Sequence, residues 1–189
     1  MLKEKLILAS RSPRRAEILA AVGWPFEAMP ADIDESILSG EDAVTYVQRL
    51  ARTKAETIAA RVAPGLVLGA DTTVVVDAEI LGQPQDDDDA RRMLQLLSGR
   101  WHEVVTGVAL ARSGATLRAA YQTTRVRFAQ LSREEIDWYV ASGEPQGKAG
   151  AYGIQGKAAL FISEIQGDYF NVVGLPVRLV FELYGQSRA

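Results

Sequence analysis

The sequence predicts an α/β fold, one domain of 189 residues, and three observations carry that expectation. Leu66-Val67-Leu68-Gly69-Ala70-Asp71-Thr72-Thr73-Val74-Val75-Val76 is a nearly continuous apolar and β-branched run, the pattern of a strand covered on both faces. Segments of helical period with capping residues alternate with strand-like runs along the chain. Neither a repeat of about 20 to 50 residues nor a low-complexity linker divides it.

Composition agrees with that class and narrows the function. The chain is 48% hydrophobic and 24% charged, the profile of an ordinary globular protein. A domain of this size buries roughly 70% of the surface its unfolded chain exposes, so it needs no disulfide or structural metal. Cysteine is absent, which removes thiol catalysis, zinc–thiolate sites and disulfides together and fits a reducing compartment. Lys and Arg number 21 against 24 Asp and Glu, a net charge of −3 with no basic tail. A general nucleic-acid surface is therefore not expected, while a small anion in a local basic pocket stays open. Met1-Leu2-Lys3-Glu4-Lys5 precedes only the short apolar run Leu6 to Ala9, too short for a signal-peptide core. No apolar run approaches the ~18 residues of a membrane span, so no membrane association and a cytoplasmic location are expected.

The elements follow in order. Leu6-Ile7-Leu8-Ala9 reads as a short buried strand, and Ser12-Pro13 as a helix start with serine at the N-cap and proline at the first helical position. Ile18, Leu19 and Val22 line one face, and Gly23 ends that helix. A second helix is expected from about Asp42 to Arg61, with the apolar stripe Val44, Val47, Leu50, Ala51 and Ile58. Lys54 falls in the middle of that stripe. After the long strand, Asp86 to Asp89 place carboxylates at the positive end of a helix running on through Leu97. Strands are expected around Glu103 to Ala111 and Thr116 to Phe128. Ser132-Arg133-Glu134-Glu135 is a capping box for a helix through Ile136, Tyr139 and Val140 to Gly143. A glycine-dense stretch from Gly143 to Gly156 comes next. Leu160 to Ile165 and Tyr169 to Val173 read as strands, and Pro176 starts a last helix with Val177, Val180, Phe181 and Tyr184 inward.

Three features bear on chemistry. In Ser10-Arg11-Ser12-Pro13-Arg14-Arg15, two serines and three arginines stand beside a helix N-terminus, whose free N–H groups and positive dipole suit a phosphate. A surface helix with basic first-turn residues is an equal reading, although cations there oppose the dipole and want an anion nearby. Asp71 interrupts an apolar strand, where it is either hydrogen-bonded structurally or serves a metal or a proton, since an unpaired buried charge is too costly to keep. Gly69 permits close approach of another group beside it. Lys54 and Asp71, each standing where an apolar residue was expected, imply a shared polar site. The third feature is Ala149-Gly150-Ala151-Tyr152-Gly153-Ile154-Gln155-Gly156, in which the glycines admit a ligand and the Gln155 amide can donate and accept side by side; taken alone, a loop glutamine facing water is the preferred reading. Asp86 to Asp89 read as a solvated turn, His102, the one histidine, as structural, and Trp24, Trp101 and Trp138 as packing.

With these residues in view, the sequence closely resembles the Maf family. The matching stretches are Leu8-Ala9-Ser10-x-Ser12-Pro13-Arg14-Arg15, Asp34-Glu35, Arg49-Leu50-Ala51-x-x-Lys54-Ala55, Gly69-Ala70-Asp71-Thr72, Leu97-Ser98-Gly99, Tyr139-x-x-Ser142-Gly143-Glu144-Pro145, Lys148-Ala149-Gly150-Ala151-Tyr152-Gly153-Ile154-Gln155-Gly156 and Val173-Gly174-Leu175-Pro176. They run in order over nearly the whole chain.

The resemblance implies a single Maf-like domain over residues 1–189, a mixed sheet with two lobes around a cleft, similar to inosine triphosphate pyrophosphatases, and often a homodimer. It implies hydrolysis of a nucleoside triphosphate between the α and β phosphates with Mg²⁺ or Mn²⁺ as cofactor. Asp71 would be the general base, Asp71 and Glu35 would hold the metal, and Lys54 would complete the catalytic group. Ser10, Arg14, Arg15, Thr72, Lys148 and Gln155 would bind substrate. Arg14, Thr72 and Gln155 match the subgroup similar to dTTP/UTP enzymes, whereas the 7-methyl-GTP subgroup tends to carry tryptophan and glutamate at the first and last of these positions. One departure stands at Gly82-Gln83-Pro84, where the family usually has lysine before the proline; weaker phosphate contact is expected from Gln83. The rival expectation is a regulatory nucleotide-binding protein linked to cell division, against which Asp71, Glu35 and Lys54 all argue.

Overall fold

The structure is a computed structural model and describes residues 4–62, 64–112 and 118–187. Met1 to Lys3, and Thr116 at the expected start of one strand, lie outside the described residues. In chain order the elements are β1 (Leu6–Leu8), α1 (Pro13–Ala21), β2 (Phe26–Ala28), α2 (Ala43–Ala59), β3 (Leu66–Val76), β4 (Glu79–Leu81), α3 (Asp87–Leu97), β5 (Trp101–Arg112), β6 (Arg118–Phe128), α4 (Arg133–Ala141), β7 (Ile162–Gln166), α5 (Tyr169–Val173) and α6 (Val177–Gln186). Seven strands make one mixed sheet in the order β2-β1-β3-β5-β6-β7, with β4 paired to β3. β1 runs parallel to both β2 and β3, while β4 and β7 are antiparallel to β3 and β6. The α/β class is as expected.

The chain divides into two compact units whose boundaries fall inside β3, β5 and β6: residues 1–71, 106–122 and 174–189 form the first, residues 72–105 and 123–173 the second. In the first unit, α2 lies on the sheet through Ala51, Ala55 and Ile58, which pack with Ala9, Val67 and Ala109. Small residues on both sides bring helix and strand backbones close. A Cβ added to Gly69 on β3 would stand 2.1 Å from the Ala51 carbonyl oxygen, and one on Gly107 of β5 would stand 2.4 Å from that of Val47. The close approach expected at Gly69 is thus made by α2. Trp24, 2% exposed, packs edge-on against Tyr184 and Phe181 of α6.

The second unit has its own core, in which Val74, Leu94, Leu97, Val126, Phe128, Tyr139, Tyr152 and Phe161 are all buried. Its helices are capped as the sequence indicates. The Asp86 carboxylate accepts from the Asp89 N–H at 2.8 Å with Asp87, Asp88 and Asp89 in the first turn, and Ser132 and Glu135 close a reciprocal capping box. His102 is buried in this core, with Nε2 2.8 Å from the Tyr152 hydroxyl, and burial pulls its pKa down to about 4.

Four expectations need correction. Tyr169 to Val173 is the short helix α5, not a strand; the Asp168 carboxylate accepts from the Phe170 N–H at 2.8 Å and turns the chain despite its β-forming residues. Leu160 belongs to a 3₁₀ turn over Lys157–Phe161 and is exposed, so β7 begins only at Ile162. Val22 lies past the end of α1 and is exposed. Trp138 is also exposed, in an edge-type contact with Phe161 and with the Lys157 ammonium over its ring. The three-residue strands β2 and β4 go unread in the sequence because they are too short to show a period.

Candidate active site

β1 ends at Leu8, and the chain turns through Ser10 into α1. Ser10 is buried, and its Oγ accepts from the Ser12 N–H at 3.2 Å and from Arg15 Nη1 at 3.0 Å. Ser12 occupies the N-cap position, yet its side chain makes no cap bond. Pro13 at the first helical position has no N–H to satisfy. Arg15, 8% exposed, turns inward as well, and its Nε donates to the Gly174 carbonyl at 2.8 Å. Burial pulls the Arg15 guanidinium down from its ordinary value; Asp71 and Glu35 oppose that and Arg14 adds to it. These charges are therefore close enough to feel one another.

The centre of the site is an ammonium between two carboxylates. Lys54 Nζ lies 2.6 Å from Asp71 Oδ1 and 2.7 Å from Glu35 Oε1. The Lys54 and Asp71 side chains are 8% and 10% exposed, whereas Glu35 is half-exposed. The pair forms because Gly69 and Gly107 let α2 settle onto β3 and β5, carrying Lys54 in its apolar stripe to the one acidic position of β3. Burial pushes the Asp71 carboxyl above its ordinary range. Lys54 and then Arg15 pull it back, and the neighbouring Glu35 adds to the rise. An acidic group poised this way is a better proton acceptor than a free aspartate.

Of the expected site residues, the structure gathers Ser10, Arg14, Arg15, Glu35, Lys54 and Asp71 in the first unit. Thr72, Lys148 and Gln155 belong to the second. Thr72 follows Asp71 on β3 and is partly buried. The Lys148 ammonium donates to the Glu144 carbonyl, and Gln155 is exposed in the turn after Ile154. Gln83 is exposed in the same unit.

A family model described as Maf-like protein matches residues 5–186. The chain belongs to the Maf family. Relatives named dTTP/UTP pyrophosphatase include one from Symbiobacterium thermophilum, 52% identical over 183 residues that cover 97% of this chain and 94% of that one. Another, from Methylobacillus flagellatus, is 53% identical over 176 residues, covering 92% and 87% of the two chains. A third, from Bacillus cereus, is 50% identical over 180 residues, covering 95% and 94%. Among solved structures, a HAM1 protein from Coxiella burnetii superposes with a TM-score of 0.56 at 17% identity, covering 97% of this chain and 99% of that one. The Ham1 protein of Staphylococcus aureus gives 0.50 at 14%, covering 75% and 98%. At such identities the likeness is one of fold, and it bears out the α/β architecture of this Maf chain.

Sequence reasoning missed the residues that hold Glu35. Tyr46, Arg49 and Glu41 bond the segment around it, as described below; Arg49 lies in a family motif, but its partners stand 8 and 13 residues back in an irregular stretch that no periodicity marks. Gly107 was also missed, although a glycine inside an apolar strand carries the same signal as Gly69.

Proposed function

We propose that this Maf chain is a nucleoside triphosphate pyrophosphatase that cuts dTTP and UTP to the monophosphate and pyrophosphate. The observation that carries the reading is the buried Lys54 ammonium held between Asp71 and Glu35, beside the basic start of α1. The pyrimidine preference is drawn from relatives of about half identity that bear that name, together with Arg14, Thr72 and Gln155.

The chemistry assigned to the residues is an in-line displacement. Asp71 accepts the proton of a water whose oxygen bonds to the α-phosphorus, while the bond to the bridging oxygen breaks and pyrophosphate leaves with that oxygen. Lys54 keeps the Asp71 carboxylate in place before the reaction and offsets charge during it. Ser10, Arg14 and Arg15 form the anion-binding rim at the helix start, arginine fixing geometry by its planar fork. Thr72 and Lys148 are assigned to substrate, Lys148 as a point charge for phosphate, and Gln155 to the base.

The donor set suits a hard divalent cation. Asp71 and Glu35 both reach the Lys54 ammonium, each through one carboxylate oxygen, which leaves the second oxygen of each for a cation; among the described residues no group of three or more His, Asp or Glu gathers, so the ion would be held by these two acids. Glu35 and Asp71 would hold Mg²⁺ or Mn²⁺, with substrate phosphates and water filling the other positions, and the ion would polarise the phosphoryl oxygens. Among the described residues no helix is long and apolar enough to cross a membrane. The reading places the enzyme in the cytosol, is compatible with a homodimer and assigns no role to nucleic acid.

The test is a panel of nucleoside triphosphates with Mg²⁺ or Mn²⁺ and with excess chelator, with products separated by ion exchange. Monophosphate and pyrophosphate are expected, fastest from dTTP and UTP, and chelator should abolish the reaction. Orthophosphate with a diphosphate, or full activity in chelator, would refute the assignment.

A further inference from the structure

Glu35 stands in a run from residue 29 to 42 that forms neither helix nor strand. Its side chain is half-exposed, and among the described residues its ion pair is with Lys54. Lys54 is buried but Glu35 stands half in water, and this single ion pair does not by itself fix a flexible acid in an irregular segment. Something else sets where Glu35 stands.

That something is built into α2 and one buried acid. The Tyr46 hydroxyl donates to the Glu35 carbonyl at 3.0 Å, and Arg49 Nη2 donates to the Ser36 carbonyl at 2.9 Å. Arg49 also grips Glu41 with both arms of its fork, Nε to Oε1 at 2.6 Å and Nη2 to Oε2 at 2.7 Å. Glu41 is the surprising member: its side chain is 4% exposed in a segment whose neighbours face water. Its Oε2 takes the Leu38 N–H at 3.1 Å too, while the Asp34 carboxylate takes the Ser36 N–H at 2.9 Å. The Arg49 guanidinium lies over the Tyr46 ring, 5.7 Å from its centroid. Tyr46 and Lys54 are two helical turns apart on one face of α2. The helix that carries the ammonium therefore also holds the backbone of its carboxylate partner.

We propose that Tyr46, Arg49 and Glu41 are positioning residues that clamp the 34–41 segment so that Glu35 meets Lys54 and Asp71 in the geometry of the reaction. The inference rests on the role given to Glu35 above. A long segment without regular structure is tolerated in a compact domain mainly where it serves function, and a misplacement of about 1 Å at a reacting centre can cost as much as ~100-fold in rate. Bidentate pairing makes arginine, and not lysine, the residue for such a clamp.

The experiment is a double-mutant cycle on the full chain, measuring kcat and KM for dTTP and the thermal midpoint. Tyr46→Phe and Arg49→Lys are each made alone and together with Glu35→Gln. Each single clamp variant is expected to lower kcat by about threefold or more with less change in KM, and its effect should shrink to under about twofold once Glu35 is already gone. An equal loss with and without Glu35→Gln would show that these residues only support the fold, and the proposal would fall. Wild-type turnover in Glu35→Gln itself would instead remove Glu35 from the reaction, a separate failure that lies in the proposed function. Should Arg49→Lys not fold, Tyr46→Phe, which deletes one hydroxyl, decides alone.

Discussion

Lys54→Met removes the ammonium at the centre of the site while keeping a stem of similar shape. The partner it abandons is buried: the Asp71 side chain is 10% exposed and its Oδ1 lies 2.6 Å from the lost charge. Breaking a buried pair from one side costs about 3–5 kcal/mol. A chain of this size loses roughly 2–4 °C of melting midpoint per kcal/mol, so the fall should be about 6–20 °C at mildly alkaline pH. The pH dependence supplies the sharper check. Burial already holds the Asp71 carboxyl above its ordinary value of 3.8, with Lys54 the strongest opposing influence. Without Lys54 it rises further. A carboxyl raised in the folded state gives its full stabilisation below its unfolded value and loses it as pH climbs through the folded value. The deficit of Lys54→Met against wild type should therefore be largest in alkali and shrink as the solution is made acidic enough to neutralise Asp71. Paired melts followed by circular dichroism between about pH 5 and 8.5 read both quantities. A deficit that stays under about 2 °C, does not change with pH, or widens in acid would refute the buried-pair argument.

Two further outcomes follow from the same geometry. Gly69→Ala puts a methyl group 2.1 Å from the Ala51 carbonyl oxygen, so α2 must lift off β3; a stability loss of about 1–3 kcal/mol or more in denaturant titration, with a larger proportional loss of kcat, is expected, and a silent substitution would show that close helix–strand contact does not set the Lys54–Asp71 distance. Gln155→Glu should cut kcat/KM for dTTP and UTP by about tenfold or more while sparing GTP, because a carboxylate opposes the uracil or thymine carbonyl that an amide N–H can meet. An unchanged ratio of pyrimidine to guanine activity would take Gln155 out of base selection.

Much of the frame was legible because particular residues announce it. Pro13, Asp42, Asp86 and Ser132 mark helix starts, and the β-branched run from Leu66 to Val76 marks the central strand. Tyr169 to Val173 misled because aromatic and β-branched side chains favour a strand, while Asp168 turns the backbone locally and wins. At the site, Lys54 and Asp71 were readable as charges in apolar positions, and their 2.6 Å contact joins the two signals. Glu35 carried no such contrast: an acid in a polar, irregular stretch looks like any surface residue, and only family resemblance singled it out. Its supports were invisible for the same reason. Tyr46 and Arg49 follow the helical period, but their bonds run to backbone carbonyls whose position depends on how residues 34–41 fold back.

In the proposed reaction water attacks the α-phosphorus and its proton passes to Asp71. Single-turnover hydrolysis of dTTP in ¹⁸O-labelled water, with the products weighed by mass spectrometry, tests it most directly. One labelled oxygen should appear in dTMP and none in pyrophosphate, at a rate that Asp71→Asn lowers by about 100-fold or more. Label found in pyrophosphate, or the same rate from Asp71→Asn, would contradict the account.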